Sequence, residues 1–94
     1  MSNLVREFVA RVEEACGEEG DFVATIRYGK VKEAMDRVLS KCVIERSIPH
    51  LMVKGTWRGK EITLFATGRM FLKGFKDKTE VESFLEELLS PAET

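Results

Sequence analysis

Histidine and cysteine are scarce in this chain, and each scarcity removes a class of function. The single histidine, His50, follows Pro49 at a strand start and reads as a surface or packing residue rather than a general base. The two cysteines, Cys16 and Cys42, form no spaced pair, and no further Cys or His cluster supplies the other ligands of a zinc site, so both read as reduced, partly buried thiols. No catalytic constellation is apparent: Glu45 and Glu61 read as solvated strand residues, and Gly17 to Gly20 lacks the lysine and the strand-loop-helix setting of a phosphate loop. No cofactor is implied, and the chain is expected not to be an enzyme. Apolar runs stay far below the ~18 residues that span a bilayer, and Met1 to Arg6 does not resemble a signal peptide. The expectation is a soluble, cytoplasmic chain without a membrane partner.

Net charge is −1, so there is no whole-molecule attraction to a polyanion, and any such binding needs a local patch. What is present is an ordinary globular composition, 44% hydrophobic and 33% charged over 94 residues, which implies one domain spanning 1–94. A core of this size leaves a thin stability margin, which self-association would widen.

Periodicity divides that domain. Leu4, Val5, Phe8, Val9, Val12, Ala15 and Cys16 keep helical spacing and predict a helix over 4–16, ended by Gly17 and Gly20. Phe22, Ala24 and Ile26 then alternate with Val23, Thr25 and Arg27 as in a strand, and Val31, Ala34, Met35, Val38 and Leu39 predict a second helix ending near Ser40 or Lys41. From Cys42 to Phe75 four short alternating runs follow, punctuated by Ile48-Pro49, Arg58-Gly59 and Gly68, as in an antiparallel meander. Asp77 with Glu80 is a capping-box variant ahead of the apolar stripe Val81, Phe84, Leu85, Leu88 and Leu89, which Pro91 stops.

The alternation assigns two unlike sheet faces. One carries Phe22, Ala24, Ile26, Leu51, Val53, Ile62, Leu64, Met70 and Leu72 and packs on the helices. The other carries Val23, Thr25, Arg27, Met52, Lys54, Thr56, Thr63, Phe65, Arg69, Phe71, Lys73 and Phe75, too apolar for plain solvent and too polar for a core. Residues 43–76 hold seven basic against two acidic side chains, which suggests a cationic sheet backed by acidic helices, suited to docking a polyanion. A simpler reading has the basic residues guarding strands against aggregation while Phe65 and Phe71 cover a dimer contact.

The stretch 21–89 resembles one repeat of the TATA-box-binding protein family. Asp21-Phe22-Val23-Ala24-Thr25-Ile26 is similar to the Asn-Ile-Val-Ala-Thr-Val strand opening that repeat, and Leu64-Phe65-Ala66-Thr67-Gly68-Arg69-Met70 to its Ile-Phe-Ala-Ser-Gly-Lys-Met hairpin. Lys73-Gly74-Phe75-Lys76 stands where the family has Thr-Gly-Ala-Lys. The resemblance implies an α+β fold, β-α-β-β-β-β-α, with a curved antiparallel sheet, helices on one face and an extra N-terminal helix. It also implies minor-groove binding of double-stranded DNA by the concave sheet, with wedging phenylalanines that kink the duplex. Phe65 falls on one wedge position and Ile48 on the other; Val23 and Phe71 match positions against the groove floor, Arg69 and Lys76 phosphate-facing ones.

With the polar residues of the same face, the expected nucleic-acid-binding set is Val23, Thr25, Lys54, Thr63, Phe65, Arg69, Phe71, Lys73 and Lys76. Asp21 replaces a base-reading asparagine and Lys73 a base-contacting threonine, and a carboxylate at 21 repels phosphate. A single repeat makes a saddle only as a homodimer, joined through the edge of the Phe22 strand, with the N-terminal helix lying along that edge or over the sheet. The alternative is a protein-interaction or dimerisation module without DNA binding.

Overall fold

The computed structural model describes residues 3–15 and 20–91. A short helix α1 (Asn3–Phe8) runs directly into strand β1 (Val9–Glu14); β2 (Asp21–Ile26) and a 3-10 turn lead to helix α2 (Val31–Lys41). Strands β3 (Val43–Ile48), β4 (Met52–Trp57), β5 (Lys60–Phe65) and β6 (Arg69–Lys73) follow, and helix α3 (Lys78–Leu89) closes the chain. The fold is α+β: one six-stranded antiparallel sheet in the order β1-β2-β6-β5-β4-β3, with helices against one face.

The N-terminal segment corrects the expected helix over 4–16. After two turns the chain becomes a strand, paired antiparallel to β2 with Val9 opposite Ile26 and Val12 opposite Ala24. Both valines are buried, yet they lie three residues apart, a separation that should put them on opposite faces of a regular strand. A register shift between Val9 and Arg11 resolves this, because one extra residue in the strand resets the alternation. A bulged strand and a helix thus show the same apolar spacing here. Cys16, also assigned to that helix, lies outside the described residues. The junction is held by the Arg27 N–H, which donates to the Phe8 carbonyl at 2.7 Å, and by Arg27 Nε, which donates to the Arg6 carbonyl at 2.7 Å.

The core lies between sheet and helices. Val5 and Phe8 of α1, Ala34 and Val38 of α2, and Val81, Phe84, Leu85, Leu88 and Leu89 of α3 meet Phe22, Ala24, Ile26, Val53, Ile62, Leu64, Met70 and Leu72. Removing about 25 cal/mol of cost per Å² of apolar surface, this layer supplies the main drive to fold. α3 sits centrally, touching both α1 and α2. Its start is fixed by a variant of the capping box: the Asp77 carboxylate accepts from the Glu80 N–H at 2.9 Å, and Glu80 Oε1 reaches back one residue beyond the N-cap to accept from the Lys76 N–H at 2.9 Å. Its end is held by Lys41, whose Nζ donates to the carbonyls of Glu87 and Ser90 at 2.5 and 2.8 Å.

Three further expectations change. Leu51 does not face the core but sits 53% exposed in the turn between β3 and β4. Leu39 likewise stands out of the core, on the outer side of α2. Phe75 is not on the outer sheet face: Gly74, at φ 90°, breaks the alternation of β6 and swings Phe75 under the sheet, edge-on to Phe84 at 4.9 Å.

Candidate binding surface on the open sheet face

The face of the sheet away from the helices carries no covering element among the described residues. Strand register arranges its side chains in rows that run across the strands. The central row reads Glu13, Val23, Phe71, Thr63, Lys54, Arg46 from β1 to β3. Toward one end of the strands lie Arg11, Thr25 and Arg69 on β1, β2 and β6, and Phe65, Met52 and Ile48 on β5, β4 and β3. Toward the other end lie Asp21, Lys73, Glu61, Thr56 and Val43.

The centre of this grid is apolar. Phe65 and Phe71 pack edge to face with centroids 5.7 Å apart and an interplanar angle of 85°. That geometry joins the positive edge of one ring to the negative face of the other and pre-orders both side chains. Phe71 remains 38% exposed, and Val23, Met52 and Ile48 beside the pair are only partly covered. A sheet that merely faced water would gain nothing from phenylalanines at its middle.

Eight of the nine expected site residues lie on this face: Val23, Thr25, Lys54, Thr63, Phe65, Arg69, Phe71 and Lys73. Lys76 does not; it belongs to the entry of α3, where its backbone N–H donates to the Glu80 carboxylate. The open face is less one-sided in charge than expected: Arg11, Arg46, Lys54, Arg69 and Lys73 share it with Glu13, Asp21 and Glu61. Arg58 lies 4.3 Å from the Trp57 ring centroid and pairs with Glu87 of α3, while Lys60 reaches the Gly74 carbonyl and Glu80. Two basic residues of the 43–76 segment, Arg58 and Lys60, therefore serve the helix side.

Those that stay on the open face are interleaved with carboxylates. Lys54 pairs with Glu61 at 3.7 Å and Arg11 with Glu13 at 2.8 Å, while Asp21 and Glu61 both flank Lys73 in register. Each exposed pair adds about 0–1 kcal/mol to stability. Their larger effect is to break the face into alternating charge, with no continuous basic track for phosphates.

Arg11 and Glu13 belong to this surface because the N-terminal segment is a strand; read as helical, they gave no such signal. The same strand settles which edges are open. β2 is flanked by β1 and β6, so pairing of two chains through the β2 edge is excluded, and the free edges are β1 and β3. The N-terminal segment extends the sheet and leaves its face uncovered.

Trp57, Cys42 and Glu80 belong to the helix side of the sheet. Trp57 packs edge-on to Phe84 at 5.3 Å. Cys42 is a free, buried thiol whose pKa burial pushes up to about 11. Glu80 is held below the usual carboxylate range, first by the Lys76 N–H and further by the Lys60 ammonium. No group of His, Cys, Asp and Glu among the described residues is placed to hold a metal, and no helix is long and apolar enough to cross a membrane. No family model, curated protein or solved structure matches the chain.

Proposed function

We propose that this chain is a non-catalytic binding module that docks a protein surface through the open face of its sheet. The observation that carries it is the ordered Phe65–Phe71 pair, left in solvent at the middle of a face whose periphery is alternating charge. An apolar centre with a polar, charge-patterned rim is the anatomy of a protein interface. The fold is that of a TATA-box-binding protein repeat carrying one additional strand. In support of that, residues 21–89 follow the order strand, helix, four strands, helix. The scaffold is retained while Asp21, Glu61 and Glu13 set negative charge where a groove reader needs none.

Photo-crosslinking tests this reading. A benzophenone side chain placed at Thr63 should yield a discrete protein adduct in the native cell, and one at Asp36 on the outer side of α2 should not. Adducts to nucleic acid in place of protein, or equal labelling from both positions, would overturn it.

One observation favours a second reading, weak binding of A/T-rich duplex DNA by a homodimer. Arg69, Thr25 and Thr63 surround the phenylalanines, and Phe65 stands on the family's wedge position. It requires a low-salt gel shift at micromolar protein that is lost in F65A/F71A. No shift, or a shift indifferent to both phenylalanines, removes it.

A further inference from the structure

We infer that the partner of the open face is a second copy of this chain, packed sheet to sheet about a twofold axis that runs along the strands between β5 and β6. The inference rests on the protein-docking reading and adds the occupant and its register. It comes from the charge pattern of the face, which is self-complementary with the axis along the strands and self-opposed with the axis across them.

In the order β1-β2-β6-β5-β4-β3, an axis between the two middle strands sets β1 against the partner's β3, β2 against its β4 and β6 against its β5. The central row then places Glu13 over the partner's Arg46 and Phe71 over the partner's Thr63. In the neighbouring rows Lys73 meets the partner's Glu61, and Arg69 meets the ring of the partner's Phe65, a cation over an aromatic face. No like charges are opposed. Each contact occurs twice, as an isologous interface demands.

The other in-plane twofold, running across the strands, lays the central row on itself. Glu13 would face the partner's Glu13, Lys54 the partner's Lys54, and Arg46 the partner's Arg46, while Arg69 would stack on the partner's Lys73. Like-charge contacts of this kind cost several kcal/mol in a desolvated interface, enough to exclude the arrangement. Aligned sheet packing at about −30° keeps the favourable pairs within reach.

Size sets the expected strength. Strands about 4.8 Å apart and about 20 Å long give six strands a footprint of roughly 600 Å² per chain, or roughly 1,200 Å² for the pair. That is the lower limit for a specific interface, so the dimer is reversible. A net charge of −1 adds almost no self-repulsion to oppose it.

Sedimentation equilibrium on the purified full chain, with folding checked by circular dichroism, is the test. Wild type should show a concentration-dependent monomer–dimer equilibrium. E13R and R46E should each weaken it by about tenfold or more, since each places like charges at two symmetric sites. E13R/R46E should restore it to within about threefold of wild type, because the pair is exchanged rather than lost. F71D, at a partly exposed position, should be a folded monomer.

A wild-type chain that stays monomeric, a dimer that persists in F71D, or a double variant no better than the singles overturns the inference. The docking reading fails separately: with a monomeric wild type, a protein adduct from Thr63 of different mass keeps the face as a docking surface for another protein, and its absence removes both.

Discussion

Gly55 is the position where the structure makes its sharpest demand on one residue. It lies buried in β4 opposite Ile44 of the edge strand, and its conformation is ordinary extended backbone, so nothing in its dihedral angles asks for glycine. What asks for it is space. A Cβ there would stand 2.7 Å from the Val43 carbonyl oxygen, 3.2 Å from Cys42 Cβ and 3.3 Å from Ile44 Cδ1. The nearest atom is backbone, so relief requires β3 to move outward rather than a side chain to turn. Overpacking of this kind costs about 1–3 kcal/mol. A domain of 94 residues has roughly 5–14 kcal/mol in total, and each kcal/mol moves the melting midpoint by about 4–8 °C.

G55A should therefore lower the urea midpoint clearly and the melting temperature by roughly 4–24 °C, with unchanged m-value. G29A is the matched control. Gly29 has no neighbour within 4 Å of its Cβ position and no left-handed φ, so alanine there should be neutral or stabilising by up to about 1 kcal/mol. A G55A protein as stable as G29A would refute the close approach of β3 to β4, and with it the placement of Arg46 and Ile48 on the open face.

Other expectations are independent of that edge. F8A should cost about 3–5 kcal/mol, because Phe8 is 1% exposed at the turn from α1 into β1; a loss under about 1 kcal/mol in urea denaturation would remove the N-terminal segment from the core. Glu80 has its folded pKa lowered, so its contribution is present above the ordinary glutamate range and is lost as pH falls through the lowered value. E80Q should accordingly be less stable than wild type at neutral pH and converge with it in acid; parallel stability curves would contradict the role of the Lys76 N–H. With its pKa pushed up to about 11 by burial, Cys42 should react with a thiol reagent at pH 8, in a C16S background, at least about tenfold more slowly folded than in urea. Equal rates would place Cys42 at the surface.

The sequence alone determined those elements whose apolar spacing has one geometric solution. β2 and β6 alternate strictly between buried and more exposed residues, α3 carries its stripe behind a variant capping box, and each was legible because the signal is local and repeats over the element's full length. Most of the open face was legible for the same reason, since a period of two fixes which side chains share a face once the strand is recognised.

What only the tertiary structure decided arises where one residue interrupts the period. The bulge after Val9 lets a strand bury residues three apart and so imitate a helix, and only pairing with β2 selects the strand. The left-handed turn at Gly74 sends Phe75 to the helix side. The charge of the face was beyond reach for a related cause: Arg58 and Lys60 stand at a turn and a strand end, where alternation carries little information, and their partners Glu87 and Glu80 come from a helix distant in sequence. Local pattern fixes faces; the sign of the field on a face is a sum over neighbours, and neighbours are set by the fold.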